Sequence, residues 1–183
     1  MVNMDYISAR ANALVRKYGT RDPFAICRGL GIHIRYKDLG QDIKAYFFCQ
    51  SRIRNIVINQ RTAQPLHKIL CGHELGHGVL HKELAAMRGF HELALFDSAS
   101  PAEYEANLFA SELLIDDDEL LKRLEGGDRS FFSIAKALYI PPELLDFKLR
   151  VLKNKGHHIE PPYMSQADFL KNELAGCYGT SEY

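Results

Sequence analysis

Residues 73 to 81 read HELGHGVLH, three histidines at four-residue intervals with a glutamate beside the first. A helix turns 100° per residue, so His73 and His77 would lie about 40° apart around the axis and ~6 Å apart along it, close enough for both imidazoles to meet one ion. Zinc takes imidazole nitrogen at about 2.0 to 2.1 Å and, at a catalytic site, keeps about three protein ligands plus a water. Glu74 follows His73 directly. It can reach that water as a base but is badly placed to be a ligand, the division of labour that gives H-E-x-x-H its chemistry. Leu75, Gly76, Val79 and Leu80 make the surrounding helix largely apolar and therefore buried. Buried imidazoles and a buried carboxylate need partners, and a metal supplies them.

His81 does not extend the set in the same way. Three histidines on three successive turns span ~12 Å, too far for one tetrahedral ion. A glycine that turned the chain before a later histidine would solve this, but Gly78 comes directly after His77. His81 is expected to support a ligand or to pack. The third ligand should come from another helix, and EYEAN at 103–107 is the best source. Glu103 and Asn107 share a face, so one could bind the ion while the other hydrogen-bonds a ligand imidazole. Glu105 points some 160° from that face. An acidic first turn also suits the helix dipole for either glutamate, so spacing leaves Glu103 and Glu105 both open.

The elements that must position these groups are legible in outline. Apolar positions at helical spacing over 4–18, ending at Gly19, predict a first helix. Asp22-Pro23 supplies an N-cap and first-turn proline for a short helix through FAICRGL, running out at Gly29 and Gly31. IHIRYKDL then reads as a strand, and KAYFFCQ and NIVINQ around SRIR read as a hairpin with Ile53 in or near the connection. Helical periodicity returns from Leu66 to Leu80. Residues 82–100 carry no clear pattern. Ser100, Pro101 and Glu103 form a capping-box start for the next helix, which should break at the acidic run Asp116 to Asp118. DELLKRLEGG, SFFSIAKALYI and PPELLDFKLRVLK are three further short amphipathic helices. The expected fold is α+β: a mostly helical single domain over 1–152, with a small antiparallel sheet of about three strands packed on the H-E-x-x-H helix, and a C-terminal extension over 153–183.

Composition narrows the class. Lysine plus arginine and aspartate plus glutamate number 23 each, so nothing global draws the chain to nucleic acid or an anionic membrane. Asp5 interrupts any signal-peptide pattern, and no run approaches the roughly 20 apolar residues of a membrane span. Cys27, Cys49, Cys71 and Cys177 are scattered without a C-x-x-C pair, which fits reduced cysteines in the cytoplasm. SIAKALYIPPELLDFKLRVLK has a helix-turn-helix look, but Glu143 and Asp146 would meet phosphate at the start of its second helix, so direct nucleic-acid binding is not expected.

IVINQ, HKILCGHELGHGVLH and EYEANLFASELLI, in this order and at this separation, resemble the ImmA/IrrE family of zinc metallo-endopeptidases over roughly residues 20–150. The resemblance implies a gluzincin-like cytoplasmic peptidase in which His73 and His77 bind Zn2+, Glu74 is the catalytic base, and Glu103 is the third ligand with Glu105 as the fallback. It further implies a bacterial or phage regulatory protease that cleaves a helix-turn-helix transcriptional repressor. Where such helices commonly continue into methionine-proline, this chain reads IDDDE, so the rim of the cleft should differ. A peptide substrate is expected to lie extended on a sheet edge, with IVIN as the receiving strand. Tyr104, His91 and Tyr139 are candidates to stabilise the oxyanion. The competing expectation is a catalytically silent module that sequesters a repressor or works within a toxin-antitoxin-like pair; retention of Glu74 speaks against it, because a closed structural site needs no base.

Overall fold

The computed structural model describes residues 2–81, 100–125 and 130–159. His91, Cys177 and the tail from residue 160 lie outside them. In chain order the elements are α1 (Met4–Tyr18), α2 (Pro23–Leu30), β1 (Ile32–Lys37), β2 (Ala45–Gln50), β3 (Ile53–Asn59), α3 (Gln64–Leu80), α4 (Pro101–Leu114), α5 (Asp117–Glu125), α6 (Phe131–Ala137) and α7 (Pro142–Asn154). Helix ends follow local chemistry. Asp22 accepts from the backbone N–H groups of Phe24 and Ala25 to start α2, and Ser100 Oγ accepts from Glu103 N–H to start α4. The α4 helix breaks at the acidic run as expected, and Asp116 Oδ1 accepts from Glu119 N–H at the start of α5. Helix α2 does not stop at Gly29. It continues to Leu30, and Gly29 is needed inside it because a Cβ there would stand 2.3 Å from the Tyr18 ring.

The sheet differs from the expected antiparallel one. Its order is β1-β3-β2, with β2 antiparallel to β3 and β1 parallel to β3. The hairpin itself forms. Ser51 and Arg52 make a two-residue connection with φ values of 51° and 66°, the left-handed geometry a tight hairpin requires, and Ile53 begins β3. Period-2 alternation reports which face a side chain takes but not which way a neighbouring strand runs. The chain from β1 through β2 sets β1 parallel to the central strand.

Apolar side chains from every layer meet in one core, among them Ile26, Phe47, Ile56, Ile58, Leu70, Leu75, Leu108, Phe109 and Leu145. Cys27 and Cys71 meet there with their sulfurs 3.9 Å apart and unbonded. Among the described residues, no helix is long and apolar enough to cross a membrane.

Candidate metal centre

Helices α3 and α4 build the centre between them. They approach so closely that a Cβ at Gly76 would stand 3.2 Å from Ala106 Cα and 3.1 Å from the Phe109 ring. That approach carries His73 and His77, one turn apart on α3, to Glu103 and Asn107, one turn apart on α4, and all four are buried.

His73 Nε2 and His77 Nε2 face each other at 3.2 Å. The Glu103 carboxylate straddles them, Oε2 lying 3.0 Å from His73 Nε2 and Oε1 3.1 Å from His77 Nε2. Donor atoms bound at about 2.0 to 2.1 Å around a tetrahedral ion stand ~3.3 Å from one another, so the three side chains are spaced as ligands of one ion would be. Two buried carboxylate oxygens, Glu103 Oε1 and Glu74 Oε2, have no hydrogen-bond partner among the described residues, although buried oxygens are ordinarily satisfied. The donor set and its orphaned oxygen fit a divalent cation.

Electrostatics point the same way. Burial pulls His77 down to about 4, leaving it neutral with a lone pair to give. Burial works against the charge on Glu103, but the His73 and His77 imidazoles outweigh it and hold the carboxyl at about 2. Burial likewise pulls His73 down, and the Glu103 charge and hydrogen bond reverse this to a net rise. A bound cation would displace any proton held between His73 and Glu103. Burial pushes Glu74 up to about 8, with the Glu103 charge adding to the rise and His73 and a hydrogen bond from the Phe47 backbone N–H opposing it.

The remaining sequence candidates take separate places. Asn107 Oδ1 lies 2.8 Å from His73 Nδ1, behind the ring. Helix α3 ends at Leu80, and His81 Nδ1 lies 3.2 Å from His77 Nδ1, on the side of that ring away from Glu103. Glu105 does not join His73 and His77; its Oε2 lies 2.9 Å from His81 Nε2. Tyr104 packs edge-on against Phe147, and Tyr139 is 80% exposed with a φ of 54°. The expectation that IVIN receives substrate fails: β3 is the central strand, hydrogen-bonded on both edges, and has no edge to offer. Two features were missed. Contact between His81 and Glu105 depends on how α3 and α4 meet, for which neither segment carries a local signal. The Phe47 backbone bond to Glu74 comes from a main-chain group, which any residue type would supply.

A small sheet packed on a buried H-E-x-x-H helix, with a glutamate arriving from a second helix, defines a metallopeptidase-type centre. Residues 27–150 match the sequence profile of a peptidase family described as the IrrE N-terminal-like domain, and the chain belongs to this ImmA/IrrE family. It is 33% identical over 149 residues to uncharacterized immunity region protein 2 of Bacillus phage phi105, covering 81% of this chain and 92% of that one. It is 28% identical over 158 residues to metallopeptidase ImmA of Bacillus subtilis (strain 168), covering 84% and 89%.

Proposed function

We propose that the protein is a zinc-dependent endopeptidase in which His73, His77 and Glu103 hold the metal and Glu74 is the general base. The observation that carries this reading is the convergence of two facing Nε2 atoms and a straddling carboxylate, with a second, partly unsatisfied carboxyl group buried on the neighbouring position of α3. Two imidazoles and one carboxylate suit zinc among the divalent metals. When bound, the ion would supply a Lewis acid that lowers the pKa of water and polarises the scissile carbonyl. Glu74 takes a proton from the attacking water and returns it to the leaving amine nitrogen as the C–N bond breaks. The Phe47 N–H holds the Glu74 carboxyl in place for both transfers.

Strand β2 replaces β3 as the docking edge. Asn59 N–H donates to Lys44 O, so by antiparallel alternation the even-numbered residues of β2 face β3, and Ala45, Phe47 and Cys49 carry their main-chain groups on the outer edge, where the Phe47 N–H is already given to Glu74. That edge adjoins α3, with the Phe47 ring against Gly78, and an extended peptide added there would pass beside Glu74. The substrate is a protein, a helix-turn-helix repressor; the family resemblance and a relative named for a phage immunity region support this choice. The site of action is the cytoplasm.

The test is metal analysis of the purified chain and incubation with the repressor-like protein encoded nearest to it. Wild type should bind one zinc per chain and cleave; Glu74→Gln should keep the zinc and lose at least ~100-fold in cleavage, the scale of a general base. Full activity of Glu74→Gln would sink the mechanism. Glu103→Ala should lose zinc and cleavage together.

A further inference from the structure

We propose that Glu105 and His81 form a positioning relay that fixes which nitrogen of His77 carries the proton, keeping the His77 Nε2 lone pair turned to the metal centre. The relay rests on the metal-centre reading above and deepens it.

With His81 as a neutral imidazole, the hydrogen-bond chain reads in one direction. A carboxylate only accepts, so at 2.9 Å from Glu105 Oε2 it is His81 Nε2–H that donates. In a neutral imidazole one nitrogen donates and the other accepts, which leaves His81 Nδ1 as acceptor. Across 3.2 Å, His77 Nδ1 must then donate to it. The lone pair of His77 is thereby left on Nε2, the atom that faces His73 Nε2 and Glu103. The opposite tautomer would point a proton at the ion.

His73 reaches the same state by a different route. Its Nδ1 donates to the Asn107 amide oxygen, a neutral acceptor supplied by the helix that also carries Glu103. The two imidazoles are thus held by independent devices: an amide on α4, and a two-residue relay from the end of α3 to a carboxylate on α4. Helix geometry makes the relay feasible. His81 lies one turn beyond His77, and its ring sits 5.3 Å from the His77 ring, as the His77 ring sits 4.9 Å from that of His73. Glu105 is thus a support for a support. Its side chain is 28% exposed and that of His81 11%, so the relay runs outward from the buried centre toward the surface.

The test measures zinc affinity of the full-length chain by competition with a chromophoric chelator. His81→Leu and Glu105→Ala should each weaken zinc binding about 10- to 100-fold, the usual effect of removing such a partner. The double variant should be no weaker than the worse single one, because both changes cut one chain of bonds. His81→Gln should recover most of the loss, since an amide oxygen can accept from His77 Nδ1. Asn107→Leu should multiply with His81→Leu, because the devices are independent. Thermal melts of the metal-free variants confirm folding; should His81→Leu fail to fold, Glu105→Ala and His81→Gln carry the test alone. Wild-type affinity in the folded single variants would overturn the relay, as would losses that multiply in the double variant or a His81→Gln as weak as His81→Leu. A wild type that takes up no zinc would remove the metal-centre reading and the relay with it, whereas zinc-binding variants equal to wild type would remove the relay alone.

Discussion

Glu74 is the residue on which catalysis and stability pull in opposite directions. Its carboxyl group is buried, one oxygen lacks a partner, and its pKa stands at about 8 against an ordinary 4.5. Between those two values the metal-free folded chain keeps a proton that the unfolded chain has released, so stability falls as pH rises across that window. Glu74→Gln removes the ionisation. Metal-free Glu74→Gln is therefore expected to exceed wild type at pH 7.5 by on the order of 4 kcal/mol in urea unfolding, with the gap closing near pH 4.5. Equal unfolding midpoints at pH 7.5 would contradict it. Metal itself should act in the opposite sense: a hundredfold excess of zinc over its Kd should stabilise wild type by about 2.7 kcal/mol, and a chelator should reverse this. At this scale the sequence was informative wherever spacing is local. An i, i+4 pair on a helix must share a face, so His73 and His77 could be paired from HELGH alone, whereas Glu103 and Glu105 sit two residues apart on one helix and only its docking against α3 separates their roles.

Among the elements, the α3–α4 packing matters most to the site, and Gly76 sets its distance. A methyl group at Gly76 would press on the Ala106 backbone, which cannot rotate aside, while one at Gly72 would meet only the flexible Leu114 side chain at 3.3 Å. Gly76→Ala should push α4 outward and draw Glu103 off the two imidazoles, lowering zinc affinity at least ~10-fold and stability by about 1–3 kcal/mol, the ordinary range for overpacking. Gly72→Ala should leave zinc affinity unchanged. Chelator competition on both variants distinguishes them, and equal losses would mean that the backbone approach at Ala106 does not set the ligand geometry. Helices were easier to foresee than the sheet because their signals are short-range: Ser100, Asp22-Pro23 and Gly19 each act within one turn. The Ser51-Arg52 hairpin is local too. Parallel pairing of β1 to β3 brings together residues about 22 positions apart, such as Ile32 and Arg54, and no feature of IHIRYK announces it.

Across the whole molecule, the helix that brings Glu103 is anchored at its far end by charge. Glu112 on α4 is buried and accepts from Asn12 of α1 and from Lys148 and Lys155 of the α7 region; Lys148, wholly buried, also pairs with Asp117 of α5. The acidic run that departs from the family's usual helix ending thus ties α4 and α5 to α7, while Asp116 is held by Arg21 in the connection between α1 and α2. Such a cluster ranks low as a source of stability, since burying ions costs about as much as pairing returns, but removing one partner leaves the others uncompensated. Lys148→Met should accordingly cost about 3–5 kcal/mol, and adding Glu112→Gln should restore part of it. The pH dependence follows from the acids. Burial opposes the charge on Asp117, but Lys148 and Lys155 outweigh it and hold its pKa below the ordinary 3.8. A depressed carboxyl contributes stability that is present above the unfolded value and is lost as pH falls through the folded one. Asp117's contribution to the urea midpoint should hold level down to about pH 4 and be lost below it, and Asp117→Asn should both lower the neutral-pH midpoint and flatten that drop. If instead the Asp117→Asn and wild-type profiles run parallel below pH 4, the Lys148–Asp117 pair is not what acid breaks, and the anchoring of α4 must lie in its apolar contacts with α1 and α7.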